Sequence, residues 1–142
     1  MAIDGKTDDD ITRILEETRT IAVVGASQNP SRPVYGVMGF LIGRGYEVYP
    51  VNPGLAGQEL QGRKVYASLA EVPAEIDMVD VFRNSEAAGE TIDEALALPV
   101  PPKTIWLQLG IVNEAGFERA EAKGVKVVMD RCPAIEGPRL GV

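Results

Sequence analysis

The residues best suited to chemistry lie in the run Gly25-Ala26-Ser27-Gln28-Asn29-Pro30-Ser31-Arg32. Small Gly25 and Ala26 let main-chain N–H groups come close to an anion, Ser27, Asn29 and Ser31 can turn hydroxyl or amide groups inward, and Arg32 adds a fixed positive fork. Four apolar residues, Ile21 to Val24, precede this run, and the next helical pattern begins only near Val34. A buried strand, a phosphate-sized loop and a helix start, in that order, are what a nucleotide-binding βα unit requires. A strand-to-helix turn that binds nothing has the same local pattern.

Further candidates follow the other apolar runs: Val51-Asn52-Pro53, Phe82-Arg83-Asn84, Gln108 to Gly110 and Asp130-Arg131-Cys132. In a parallel sheet these strand ends converge on one rim, where ligands sit. Arg32, Arg83 and Arg131 would make that rim positive on an acidic chain. Cys132, the single cysteine, is the conspicuous nucleophile, with Arg131 beside it to favour the thiolate. A partly buried structural cysteine is the plainer reading. Asp77, Asp80 and Asp130 lie on or beside strands, and nothing pairs any of them with a second acid for acid–base work.

The elements that must position these residues are legible from periodicity. Asp8, Asp9 and Asp10 offer an N-cap and favourable charge to a helix carrying Ile11, Ile14 and Leu15. Strands are expected at 20–24, 47–51, 76–82, 104–109 and 125–129. Helices are expected from about Val34 to Gly45, from Ser85 toward Pro99, and over 113–123, with Gly45 and Gly124 as terminators. Gly36, Gly39 and Gly43 thin one face of the second helix, as close packing or a ligand on that face would require. The tail from Asp130, with Pro133 and Gly137-Pro138, reads as irregular. Five strands alternating with helices favour an open, Rossmann-like parallel five-stranded sheet with helices on both faces. The expected strand order is 3-2-1-4-5, with its switch point beside the Gly25–Arg32 loop.

At 142 residues, one domain with one core is expected over 1–142, of which 1–19 form an acidic segment and helix. A net charge of −7 argues against nucleic acid as a partner, because non-specific affinity for it comes from clustered cations. With one Cys and no His, neither a disulfide framework nor the usual zinc sets can be assembled. No apolar run reaches the roughly 18 residues needed to span a bilayer, and the acidic start lacks the pattern of a secretory signal, so no membrane partner and a cytoplasmic location are expected.

A nicotinamide dinucleotide site should show G-x-G-x-x-G after the first strand and an acid ending the second. Here the loop has the single Gly25, and the second strand ends Val51-Asn52-Pro53. The P-loop pattern G-x-x-x-x-G-K-[ST] is also missing from the loop. What the segments GASQNPSRPVYGVMGFLIGRGYEVYPVNPG, GRKVYASLAEVP, IDMVDVFRNSE, IWLQLGIVNEAG and VVMDRCPAIE do resemble is the family of small stand-alone CoA-binding proteins related to the nucleotide-binding domain of the succinyl-CoA synthetase α subunit. The resemblance runs from about Thr20 to Glu136.

It implies coenzyme A as the ligand, with its diphosphate at Gly25, Ala26 and Ser27 and with Arg32 nearby. The adenine would lie toward Val51, Asn52 and Pro53, and Phe82, Arg83 and Asn84 would line the cleft. The synthetases use a phosphorylated histidine in a further domain and a partner subunit that binds nucleoside triphosphate. This chain has no histidine, so the expectation is a non-catalytic CoA- or acyl-CoA-binding module, with an NAD(P)-binding oxidoreductase or other nucleotide-dependent enzyme as the alternative.

Overall fold

The computed structural model describes residues 3–142. In chain order its elements are α1 (Asp8–Glu17), β1 (Thr20–Val24), α2 (Pro33–Gly43), β2 (Glu47–Val51), a short hairpin of β3 (Glu59–Leu60) and β4 (Arg63–Lys64), then β5 (Met78–Val81), α3 (Ser85–Leu96), β6 (Thr104–Leu107), α4 (Glu114–Ala122), β7 (Lys126–Val128) and α5 (Pro133–Leu140). Most helix starts follow from capping chemistry. Thr7 and Asp10 form a reciprocal capping box on α1, and Asn84 and Asn113 cap α3 and α4. The cap of α1 is thus Thr7, one residue before the aspartates expected to supply it.

The five main strands form one parallel sheet. Alternate residues divide its two faces. Ile21, Val23, Met78, Trp106 and Val128 pack under α1, α2 and α5, while Ala22, Val24, Val79, Val81, Ile105, Leu107 and Val127 pack under α3 and α4. Helices therefore cover both faces, as the alternation of elements requires.

The order of strands corrects the expectation. It is β2-β1-β5-β6-β7, or 2-1-3-4-5 among the five main strands, and not 3-2-1-4-5. Pro50 supplies the reason: proline has no N–H for a ladder and is confined to edge strands, so β2 cannot stand between two neighbours. On its outer side only the carbonyl of Pro50 is used, by the N–H of Tyr66 at 3.0 Å, and Asn52 N–H returns a bond to the Tyr66 carbonyl at 2.9 Å. The chain then crosses β1 to lay down β5. The switch point falls between β1 and β5, still beside the loop after β1.

A second correction concerns the tail, which is helical. Pro133 occupies the first turn of α5, where a missing N–H costs nothing, and Gly141 ends the helix with φ +75°. Pro138 lies inside the helix. At the other end of the sheet, the N–H groups of Val127 and Met129 donate to the carboxylates of Glu121 (2.8 Å) and Asp4 (3.1 Å). Side chains thus occupy the outer edge of β7.

Candidate functional site

Gly25 ends β1 at the switch point with φ +88°, and a Cβ there would stand 2.6 Å from the Phe82 carbonyl oxygen. Only glycine fits both constraints. Its N–H donates to the Val51 carbonyl at 3.1 Å, and that of Ala26 reaches the same oxygen at 3.4 Å. These two main-chain donors, expected to face an anion, are committed to the end of β2. The side chain of Ala26 is fully buried and its carbonyl accepts from Asn52 Nδ2 at 2.8 Å. Ala26 and Asn52 therefore fix the loop against β2, and the other side-chain atom of Asn52, Oδ1, accepts from Gly54 N–H.

Beyond Ala26 the loop is held from within. Asn29 N–H donates to Ser27 Oγ (3.1 Å), and both the N–H and the hydroxyl of Ser31 donate to Asn29 Oδ1 (3.0 and 2.8 Å). Ser27 Oγ as an acceptor keeps its own proton for an incoming group, and Asn29 keeps its Nδ2 donors. Among the described residues, the main-chain N–H groups of Ser27, Gln28 and Val34 donate to no protein acceptor. The N-cap of α2 is exposed Arg32, whose side chain makes no capping bond, and the first turn carries no acid. α2 thus begins with open donors, the positive end of its dipole and a guanidinium.

Two cavities meet at Gly25. One, of about 310 Å³, runs along Arg32, Pro33, Val34, Val37, Phe82, Gln108, Leu109, Ile111 and Cys132, and is mostly apolar. The other, of about 340 Å³, is lined by Val51, Asn52, Pro53, Ala67, Ser68, Arg83 and Glu94 with Val24, and is the more polar. Together they form a groove across the carboxyl ends of the strands, joined at Gly25, with the start of α2 lining its apolar half. Just beyond the end of β5, Phe82 falls on the apolar side and Arg83 on the polar side. Arg83 Nη1 donates to Thr91 Oγ1 at 3.2 Å, and the pair it makes with Glu90 is loose at 3.9 Å.

Asn84 is not among the residues that line the two cavities, and its Oδ1 accepts from Ala87 N–H to cap α3. Arg131 does not serve the rim either. Its guanidinium is tied to Asp4 (3.0 Å) and Glu136 (2.7 Å), so it does not stand over Cys132 as a free cation. Val34, Val37 and Ile111, with Ser68 and Glu94, join the lining although the sequence did not single them out. The thin face of α2 hinted at a neighbour, which at Gly39 is Gln61 of the hairpin turn, at 3.0 Å from a Cβ built there.

The strand-borne carboxylates have other duties. Asp77 accepts from the N–H groups of Arg19 and Thr20, and Asp130 accepts from Gly110 N–H at 2.7 Å, holding the turn after β6. Asp80 is fully buried beneath α1, α2 and α5 with both oxygens unpartnered, and burial pushes its carboxyl well above the usual range.

The family model described as a CoA binding domain matches residues 19–138. The chain belongs to this CoA-binding domain family. The domain is 39% identical over 123 residues to YneT, an uncharacterised protein of Bacillus subtilis, covering 87% of this chain and 88% of that one. It is 38% identical over 80 residues to the α subunit of an ADP-forming acetate–CoA ligase I from Pyrococcus furiosus, a match to 54% of this chain but only 17% of the ligase subunit. Among solved structures, a hypothetical protein of Pyrococcus horikoshii superposes with a TM-score of 0.92 at 37% identity, over 100% of this chain and 97% of that one. A Thermus thermophilus protein gives 0.88 at 39% identity, over 95% and 99% of the two chains. The CoA-binding domain therefore occurs both as a chain of this size and as a small part of a ligase subunit.

Proposed function

We propose that this protein binds coenzyme A in the groove centred on Gly25, with the diphosphate over the Ser27–Arg32 loop and the start of α2. The observation that carries this reading is the division of the groove. A more polar cavity and an apolar one meet at Gly25, and the apolar one is bordered by Arg32 and the first turn of α2, where the Val34 N–H is open. CoA has the matching order of parts: a phosphorylated nucleoside, a diphosphate, and a pantetheine arm. The nucleoside lies toward Val51, Asn52, Pro53 and Arg83, and the arm runs past Val34, Val37 and Phe82. Gly25, Ala26, Asn52 and Asn84 act through the backbone they hold in place, whereas Ser27, Asn29 and Arg32 make the polar contacts. No acid–base pair is assigned, and the chain acts as a binding module for CoA or an acyl-CoA, in the aqueous interior of the cell.

Isothermal titration with CoA tests this. Saturable one-to-one binding is expected, weakened about tenfold by Arg32→Ala, the loss of one charge-assisted contact. Heat with NADH but none with CoA would overturn it. Among the described residues no helix is long and apolar enough to cross a membrane, so the purified protein needs no detergent for the measurement.

A further inference from the structure

Cys132 borders two cavities. The first is the apolar half of the groove; the second, of about 400 Å³, is lined by Ile3, Leu109, Met129, Asp130, Arg131, Ile135 and Glu136, and shares Cys132 and Leu109 with the first. Gln108 lines the first cavity too. Its side chain belongs to a residue only 6% exposed, yet its Oε1 has no hydrogen-bond partner. Buried amide oxygens are normally satisfied; a turn of this amide about its last torsion would bring the oxygen to the cavity, where something bearing an N–H or S–H donor would partner it. The pantetheine arm of CoA carries amide N–H groups and ends in a thiol. Cys132 is itself the N-cap of α5, and its Sγ makes no capping bond that would have to be broken.

We propose that Cys132 captures CoA covalently, by thiol–disulfide exchange with a CoA disulfide; this rests on the CoA reading of the groove. One CoA half lies along the apolar cavity, with an arm amide donating to Gln108 Oε1, and the other half extends through the second cavity. The Cys132 sulfur, as thiolate, attacks the sulfur of the seated half, so that an Sγ–S bond forms and the original S–S bond breaks. The outgoing CoA leaves as a thiolate and takes up the proton that Cys132 released. The protein thiol is oxidised, the CoA disulfide is the oxidant, and the products are a protein–CoA mixed disulfide and one free CoA.

The test is intact-mass spectrometry of the purified chain with CoA disulfide or, separately, with glutathione disulfide, alongside titration calorimetry with CoA. The single cysteine makes the attachment point unambiguous. One CoA per chain is expected, released by dithiothreitol and absent from Cys132→Ser. The exchange should be at least about tenfold faster with CoA disulfide than with glutathione disulfide at equal concentration, because only the former is held beside the thiol. CoA binding without an adduct, or equal rates for the two disulfides, overturns the capture and leaves the binding function intact. Absence of both CoA heat and adduct overturns the two together.

Discussion

At Gly25 the demands of backbone and neighbour coincide, with φ at +88° and the Phe82 carbonyl 2.6 Å from where a Cβ would stand. Gly25→Ala is therefore expected to lose about 2–4 kcal/mol in urea denaturation, from left-handed strain plus the clash, and to lose CoA binding with it. Asp80 presents the opposite case, a residue whose removal helps. Its folded-state pKa lies above the unfolded value, so the native chain keeps a proton that the unfolded chain releases. The stability this group permits is fully present below the ordinary value of 3.8 and declines as pH rises toward the folded pKa. Asp80→Asn should accordingly be more stable than the parent at pH 8, by about 1–3 kcal/mol, with the advantage shrinking as the pH is lowered toward 4. Chemical denaturation at the two pH values checks it. The sequence places a loop between β1 and α2, as the structure does, but it does not disclose which atoms the fold consumes. Ala26 and Asn52 look alike as ligand candidates in the sequence, yet their donors and acceptors are spent on each other and on Val51, Gly54 and Tyr66.

Among the elements, β2 and α5 carry the lessons. The apolar run 47–51 is plainly a strand, and Pro50 within it already required an edge, a signal that outweighs any general preference for one doubly wound order. The tail was obscured by its prolines. One of them, Pro133, is a helix starter, and what stabilises the rest of α5 is tertiary: Gly137 lies against the Phe40 ring of α2, and Arg139 bonds Asp8 of α1 at 2.8 Å. No local periodicity encodes such contacts. Arg131, just ahead of α5, joins Glu136 to Asp4, whose side chain is wholly buried. Burial pushes the Asp4 carboxyl up, but hydrogen bonds from Arg131 and from the N–H groups of Lys6 and Met129 outweigh it and hold it below the usual range. At Glu136 burial likewise pushes the carboxyl up, and hydrogen bonds from Arg139 and Arg131 override it and hold the carboxyl below the usual range. Both groups stabilise the fold above the unfolded carboxylate pKa, and that contribution is lost as pH falls through their lowered folded values. Asp4→Asn, which leaves Arg131 half-paired, should cost about 3 kcal/mol at neutral pH, and the variant should lose less stability than the parent on acidification. Urea titrations at pH 7 and pH 3 measure both.

For the whole molecule, the groove lies across strand ends that belong to widely separated parts of the chain, so a ligand that spans it binds the native state and not the unfolded one. CoA at about 100 times its Kd should stabilise the protein by about 2.7 kcal/mol. The melting temperature should rise by several degrees, and Arg32→Ala should blunt the rise at the same CoA concentration; a thermal shift series reads this directly. The open parallel sheet was legible because the βα alternation is regular, whereas its closed edges were not. The guard on β7 comes from Asp4, 125 residues away from the Met129 amide it accepts from. That bond has a kinetic corollary. Asp4 can accept from the Lys6 amide as soon as its own turn forms, but its bonds to Met129 and Arg131 need segments some 125 residues apart to meet, a slow long-range closure. Sealing of this margin therefore waits on distant parts of the chain, and Asp4→Ala would leave the Met129 N–H beside β7 without its acceptor, open to the next extended segment that offers a carbonyl.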